Sequence, residues 1–328
     1  MLSPVLAFRP ASALARLAPR SDACPVSLTD LLAAAGGLRL PSIAAGTPDV
    51  IRAALVAAKV LRSAVGLSIP RGLEPEPWFE TAARSADEIA AALPYFLTAE
   101  VVLEGESAIL LERVGREVWR LIEAGLTHVA FDVASVAAEE RGRVLAEVAA
   151  PLAERGLCFD CVVAPGEVGA GMRTLALVEE LERRGVPAAV VSVRCPAPPD
   201  AESARVQLGA LDRLGRALGG LPVLRRGPVS AALLAALRGS GVRGCEDGGV
   251  AARASGESPA PEPMGEEAAE RRARWRDRAA ALLGAEQVER LEARAFVEAA
   301  EFIEALGAEG SAPAVARGLE RQLAQDRG

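Results

Sequence analysis

Between Leu40 and about Ala252, short apolar runs alternate with longer stretches in which apolar residues recur every three or four positions. The apolar runs are 40–45, 64–69, 95–103, 127–133, 157–163, 188–193, 222–224 and 242–246. Nearly continuous apolar runs of this length mark strands covered on both faces, whereas the 3.6-residue period marks amphipathic helices. The helical stretches between them are 50–61, 82–92, 108–124, 137–155, 173–184, 201–218 and 229–238. An interval of about 20–35 residues from strand to strand suits a right-handed βαβ crossover. Eight such units in series predict closure into a (β/α)8 TIM barrel, with an open doubly wound sheet as the alternative. The punctuation agrees. Thr47 and Pro48 read as an N-cap followed by proline at the first helical position, and Gly125, Gly156, Gly185 and Gly219 sit where helices end in the left-handed conformation.

Outside the repeating units, residues 1–26 form a lead-in broken by Pro and Arg, and 27–252 form the barrel. A Ser-, Pro- and Glu-rich stretch, 253–265, reads as a linker, and 266–328 as a C-terminal helical extension. Its helices, 266–283, 286–306 and 313–324, are expected either to cap the barrel or to pair with a second copy as a homo-oligomer contact. Trp275, Phe296 and Phe302 then serve as packing anchors.

Composition narrows the partners. Hydrophobic residues make up 51% of the chain and aromatics only 3%, so the core is built from Ala, Leu and Val. The net charge is −7, and the Arg271–Arg276 cluster shares its helix with Glu266, Glu267, Glu270 and Asp277. A nucleic-acid footprint needs a basic face, so no nucleic acid is expected. No run approaches the roughly 20 apolar residues of a membrane span, and Arg9, Pro10 and Arg16 interrupt any signal-peptide centre. Five cysteines, an odd number, fit a cytoplasmic protein with free thiols. Cys158 and Cys161, three apart on a strand, face opposite sides and read as small buried residues. With a single histidine in the chain, His128, a cysteine nucleophile with a partner is not expected.

Barrel enzymes carry their chemistry at the C-terminal ends of the strands. The charged residues at those ends are therefore the candidates. Glu100 reads as a functional carboxylate, or as the ion-pair partner of Arg225 or Arg226. Asp132, with Ser135 just after it, is either functional or the cap of the next helix. Arg194, Arg225 and Arg226, followed by Gly227, suit an anion pocket through bidentate hydrogen bonds, or else balance Glu100, Asp132, Glu246 and Asp247. The loop 164–171 is a candidate lid over the mouth.

Several segments resemble the class II, metal-dependent fructose- and tagatose-bisphosphate aldolases. "LTDLLAAAGGLRLPSIAAGTPDVIRAALVAAKVLRSAVGLSI" is similar to that family's first two units, and "LIEAGLTHVAFDVASV" to its fourth strand, where Asp132 and Ser135 fall on matching positions. "GLPVLRRGPVS" and "GVRGCEDGG" fall where the family has its phosphate and metal loop and its last strand. The departures fall on the chemistry. The family's His-x-Asp-His becomes Thr98, Ala99, Glu100 and Val101. Its later histidine positions hold Cys195 and Arg225 or Arg226, and its final Asn position lies near Glu246. The resemblance implies zinc, which needs three protein ligands. Valine cannot coordinate and arginine repels a cation, so no metal and no cofactor is expected.

Three functions follow from this reading. The first is a non-catalytic or accessory barrel, a role that has a parallel in the tagatose-bisphosphate aldolase system, binding a phosphorylated sugar, a carboxylate or a partner subunit at the mouth. The second is a lyase with metal-independent chemistry, using Glu100 as base and arginines as stabilisers. The third is a scaffold acting through the helical tail.

Overall fold

The computed structural model describes residues 4–89, 92–105, 107–164, 166, 171–258, 266–284 and 290–326. Its centre is a closed ring of eight parallel strands: β1 (Leu40–Ala44), β2 (Val65–Ile69), β3 (Pro94–Val102), β4 (His128–Asp132), β5 (Cys158–Val163), β6 (Val190–Arg194), β7 (Val223–Gly227) and β8 (Gly244–Asp247). Strands neighbouring in sequence pair with each other, and β8 pairs back onto β1 with Leu40 beside Gly244. The predicted runs mark all eight. β7 continues past Leu224 to Gly227 because one arginine of the Arg225–Arg226 pair finds partners inside the barrel and the other outside it.

The helices surrounding the ring are α1 (Pro48–Leu61), α2 (Pro75–Ile89), α3 (Ser107–Glu123), α4 (Arg141–Glu154), α5 (Gly171–Arg183), α6 (Ala201–Ala217) and α7 (Ala231–Leu237). Thr47 caps α1 by accepting from the Val50 amide, as its position suggested. Gly125, Gly156, Gly185 and Gly219 all have positive φ. By contrast, α2 begins at Pro75, well before the predicted 82. Its prolines fall in the first turn, where a missing N–H costs no hydrogen bond.

Alternation along each strand sorts the barrel into an apolar outside and a mostly polar inside. Outward residues such as Leu67, Tyr95, Val129, Phe159 and Val191 join the helices in one apolar core. At the N-terminal end of the lumen, Leu40, Phe96, Val190 and Leu224 pack on Leu28, Leu31, Val315 and Leu319 and close the floor. Phe96 fits there because Gly66 lies across from it, where a Cβ would sit 2.2 Å from the ring. Above this plug most inward positions are Ser, Thr, His, Asp, Arg and Glu, with Ala130 and Val162 among them.

The lead-in is more structured than its composition implied. Pro4–Phe8 forms a turn of 3-10 helix, Cys24–Pro25 pairs with the start of β3, and Val5, Cys24 and Val26 are buried in the floor. The linker, too, is shorter than expected. Arg253 belongs to a helix, α8 (Val250–Ser255), and residues 259–265 lie outside the described residues. The extension forms α9 (Glu266–Leu283), α10 (Leu291–Leu306) and α11 (Ser311–Asp326). The predicted start of α10, 286–289, lies outside the described residues.

α10 packs along α1 and against α7, β1 and β8, which is where the helix following the last barrel strand belongs. Every residue from Ala295 to Leu306 is buried. The acidic stripe of α10 is satisfied from outside. Glu301 takes Arg272, and Glu304 takes the Trp275 indole N–H at 2.6 Å. Glu298 takes Arg253, which also binds Asp247 at the end of β8. α11 lies across the floor against the helix Leu28–Ala34.

Candidate functional site

The lumen holds two tiers of charge. In the deep tier, Cys158 and Asp160 stand two apart on β5 and both point inward, while strand register sets His128 beside Cys158. The imidazole bridges them, with Nε2 2.9 Å from Asp160 Oδ1 and Nδ1 3.1 Å from Cys158 Sγ. Ser192 Oγ donates to Asp160 Oδ2, and Arg226 Nη2 donates to the same oxygen at 3.0 Å. Arg226 Nε reaches Ser192 Oγ at 3.1 Å, and its Nη1 donates to Glu246. Asp160 is 0% exposed and Arg226 4%. Charges this dry are tolerated only when paired and hydrogen-bonded, and here each one is.

These contacts set the proton affinities. Burial alone would raise the Asp160 carboxyl, but Arg226 and His128 outweigh it and hold the group well below the usual carboxylate range. Burial disfavours the His128 imidazolium, yet Cys158 and Asp160 outweigh that and push the ring up to about 9. Glu246 goes the other way. Burial raises its carboxyl, Arg226 opposes this, and the nearby Glu100 and Asp160 reinforce it.

In the rim tier, Glu100 Oε1 accepts from Arg194 Nη2 at 2.5 Å and also from Arg71. The same Arg194 nitrogen donates to Asp132 Oδ2 at 2.9 Å. Asp132 Oδ1 in turn accepts from the Ala134 amide and shapes the turn after β4, so it caps a turn rather than the next helix. Arg71 and Arg194 are 59% and 46% exposed, and Nε and Nη1 of each have no protein partner among the described residues. Beside Glu100 opens a cleft of about 290 Å³, lined by Arg71, Glu74, Glu100, Arg113 and Glu117. Deeper in the lumen, the buried Ser42 and Thr98 hydroxyls have no hydrogen-bond partner among the described residues.

The structure brings Glu100, Asp132 and Arg194 together at the rim and sets Arg226 in the deep tier, where the charge of Glu100 still reaches it. It places the other candidates elsewhere. Arg225, expected at the mouth, points out of the barrel toward α6. There Nε binds Gln207 Oε1 at 2.8 Å, and Nη1 and Nη2 bind the carbonyls of Gly227, Pro196 and Pro228. The physical reason is alternation, since adjacent strand residues face opposite ways. Arg225 is a loop staple. Gly227 has φ 127°, and a Cβ there would meet the Cys195 carbonyl oxygen at 2.2 Å, so it serves the backbone path. Ser135 is exposed on the turn after β4 and makes no hydrogen bond among the described residues. Of the lid candidate 164–171, residues 165 and 167–170 lie outside the described residues.

Asp160, Ser192 and Arg71 were not anticipated, and Cys158 does have a partner histidine. A carboxylate within the apolar run "LCFDCVV" was the available signal, because an Asp buried there requires a cation or several donors. Cys161 faces outward into the helical layer, as the opposite-faces argument required.

The zinc ion implied by the aldolase resemblance does not fit these donors. The carboxylates of the lumen are engaged by guanidinium groups, and no three His, Cys, Asp or Glu side chains among the described residues are grouped to hold a metal ion. No helix among them is long and apolar enough to cross a membrane.

No family model and no curated protein matches the sequence. Among solved structures, the chain is similar to the YdjI aldolase from Escherichia coli K12, with 15% identity and TM-score 0.54 over 84% of this chain and 94% of that one. It is also similar to a provisionally assigned fructose-1,6-biphosphate aldolase from Coccidioides immitis, at 15% identity and TM-score 0.51 over 87% and 96% of the two chains. A provisionally assigned tagatose 6 phosphate kinase from Sinorhizobium meliloti 1021 gives 15% and 0.50 over 88% and 98%. At this identity the likeness establishes the (β/α)8 barrel and leaves activity to be argued from the site.

Proposed function

We propose that this barrel is an aldolase-like binding protein whose mouth takes a small anionic sugar, phosphorylated or carboxylated, without a metal ion. The observation that carries the reading is the pair Arg71 and Arg194. Both lean on Glu100 at the open end of the lumen, and Nε and Nη1 of each have no partner among the described residues. Each free nitrogen suits a single charge-assisted hydrogen bond, so the two arginines together can hold one phosphate or carboxylate between them. A binding role, accessory rather than catalytic, is supported by the commitment of the lumen carboxylates to arginines. Partnership with another subunit remains part of this reading.

The test is calorimetric titration of the full chain with hexose bisphosphates and with inorganic phosphate. Arg194→Ala should weaken binding by about tenfold or more, the worth of a hydrogen bond to a charged group, and Arg71→Ala should act in the same direction. Absence of binding, or binding indifferent to both substitutions, would overturn the reading.

A second reading rests on Glu246. Burial raises its carboxyl, and the nearby Glu100 and Asp160 raise it further against the Arg226 that binds it, a balance that suits a proton-transfer role in a lyase, whereas Glu100 is held by two arginines. Carbon–carbon cleavage of a hexose bisphosphate that disappears in Glu246→Gln would select this reading over simple binding.

A further inference from the structure

We propose that Cys158, His128 and Asp160 form a reactive thiol site at the base of the barrel, modified by small electrophiles and hydroperoxides that enter from the N-terminal face. The inference is independent of what the mouth binds. Its basis is geometric. Sulfur, imidazole and carboxylate stand in line, with Sγ 3.1 Å from Nδ1 and Nε2 2.9 Å from Asp160 Oδ1. This is the order in which a base, oriented by a third group, activates a nucleophile. The carboxylate is fixed by Ser192 and Arg226, so the ring has one orientation. Phe96 meets the ring edge-on, 6.3 Å between centroids, and walls off that side.

Access comes from below. Thr29, on the helix Leu28–Ala34, lies beside the Cys158 sulfur, whose proton affinity it lowers, and also lines a cleft of about 320 Å³ with Leu32, Leu38, Ala189 and Arg243. The thiol therefore lies one side chain beneath an open surface. The groups facing it are His128, Asp160 behind the ring, and Thr29.

The other cysteines provide the contrast. Burial pushes Cys24 and Cys245 up to about 12, and it raises Cys195 as well. Burial also works against ionisation of Cys158, but His128 and Thr29 outweigh it and bring the thiol below its ordinary value. Sensitive thiols are those with thiolate character in an electropositive setting. In the reaction, the thiolate sulfur attacks one peroxide oxygen and the O–O bond breaks. Cys158 becomes the sulfenic acid, a two-electron oxidation. The departing hydroxide takes the proton from His128 Nδ1 and leaves as water.

The test uses the full-length protein under native conditions. Iodoacetamide labelling followed by peptide mass spectrometry should find Cys158 carbamidomethylated at least about tenfold faster than Cys24, Cys195 and Cys245, since it alone of the four is brought below its ordinary value while burial raises the other three. The pH profile of that rate should bend below the ordinary thiol value of about 8.5, and His128→Gln should abolish the lead. Dimedone should trap a sulfenic acid at Cys158 after hydrogen peroxide. Should His128→Gln fail to fold, the wild-type pH profile decides alone. A Cys158 no faster than its neighbours, an inflection at or above the ordinary value, a lead that survives in His128→Gln, or no dimedone adduct would each overturn the proposal.

Discussion

The rim and the base of this lumen use the same chemical types, carboxylates facing arginines, yet they stand in opposite relations to water. Arg71 and Arg194 are about half exposed, whereas Arg226 and Asp160 are dry. Exposed ion pairs contribute little, because water already solvates each partner and side-chain entropy opposes the pairing. A buried pair is different. Its formation is costly, but removing one member strands the other, and that loss is large. The base tier is thus suited to fixing the barrel's interior, and the rim tier is free to exchange one anionic partner for another.

The sharpest way to break this comparison is Asp160→Asn, which deprives Arg226, His128 and Ser192 together. It should cost about 3–5 kcal/mol of unfolding free energy in urea titration. A loss under about 1 kcal/mol would erase the distinction between the tiers. Next is pH. His128 has its proton affinity raised in the folded state, from 6.5 to about 9. Its contribution is therefore fully present below pH 6.5 and lost as pH rises through about 9, a fall of up to about 3 kcal/mol over that window. Urea midpoints measured across the window should decline in the wild type and lose that slope in His128→Gln. At the rim, Arg194→Ala should change stability by less than about 1 kcal/mol, despite touching two carboxylates. Smallest of all, an Arg71–Glu100 double-mutant cycle should give a coupling of a few tenths of a kcal/mol that fades with added salt.

The barrel was legible because both faces of every strand are covered, which writes eight apolar runs into the sequence. The rim was legible for a related reason, since Glu100, Asp132 and Arg194 are charges at the ends of apolar runs. Arg225 was misplaced although alternation alone forbids it and Arg226 from facing the same way. The His128–Cys158 contact was not legible. It depends on the register between β4 and β5, and nothing local in either strand fixes which residues stand side by side. The position of α10 was equally hidden. Amphipathic periodicity shows that a helix has an apolar face, not which groove receives it.

That groove has a consequence for biosynthesis. The helical ring lacks its closing member until residues beyond Leu306 have left the ribosome, although β8 ends at Asp247. Through that interval the flank of α1 that α10 covers stays open on a nearly finished barrel. A nascent intermediate of this kind is the species chaperones bind and truncated chains aggregate through, because completion waits on a contact between distant parts of the sequence.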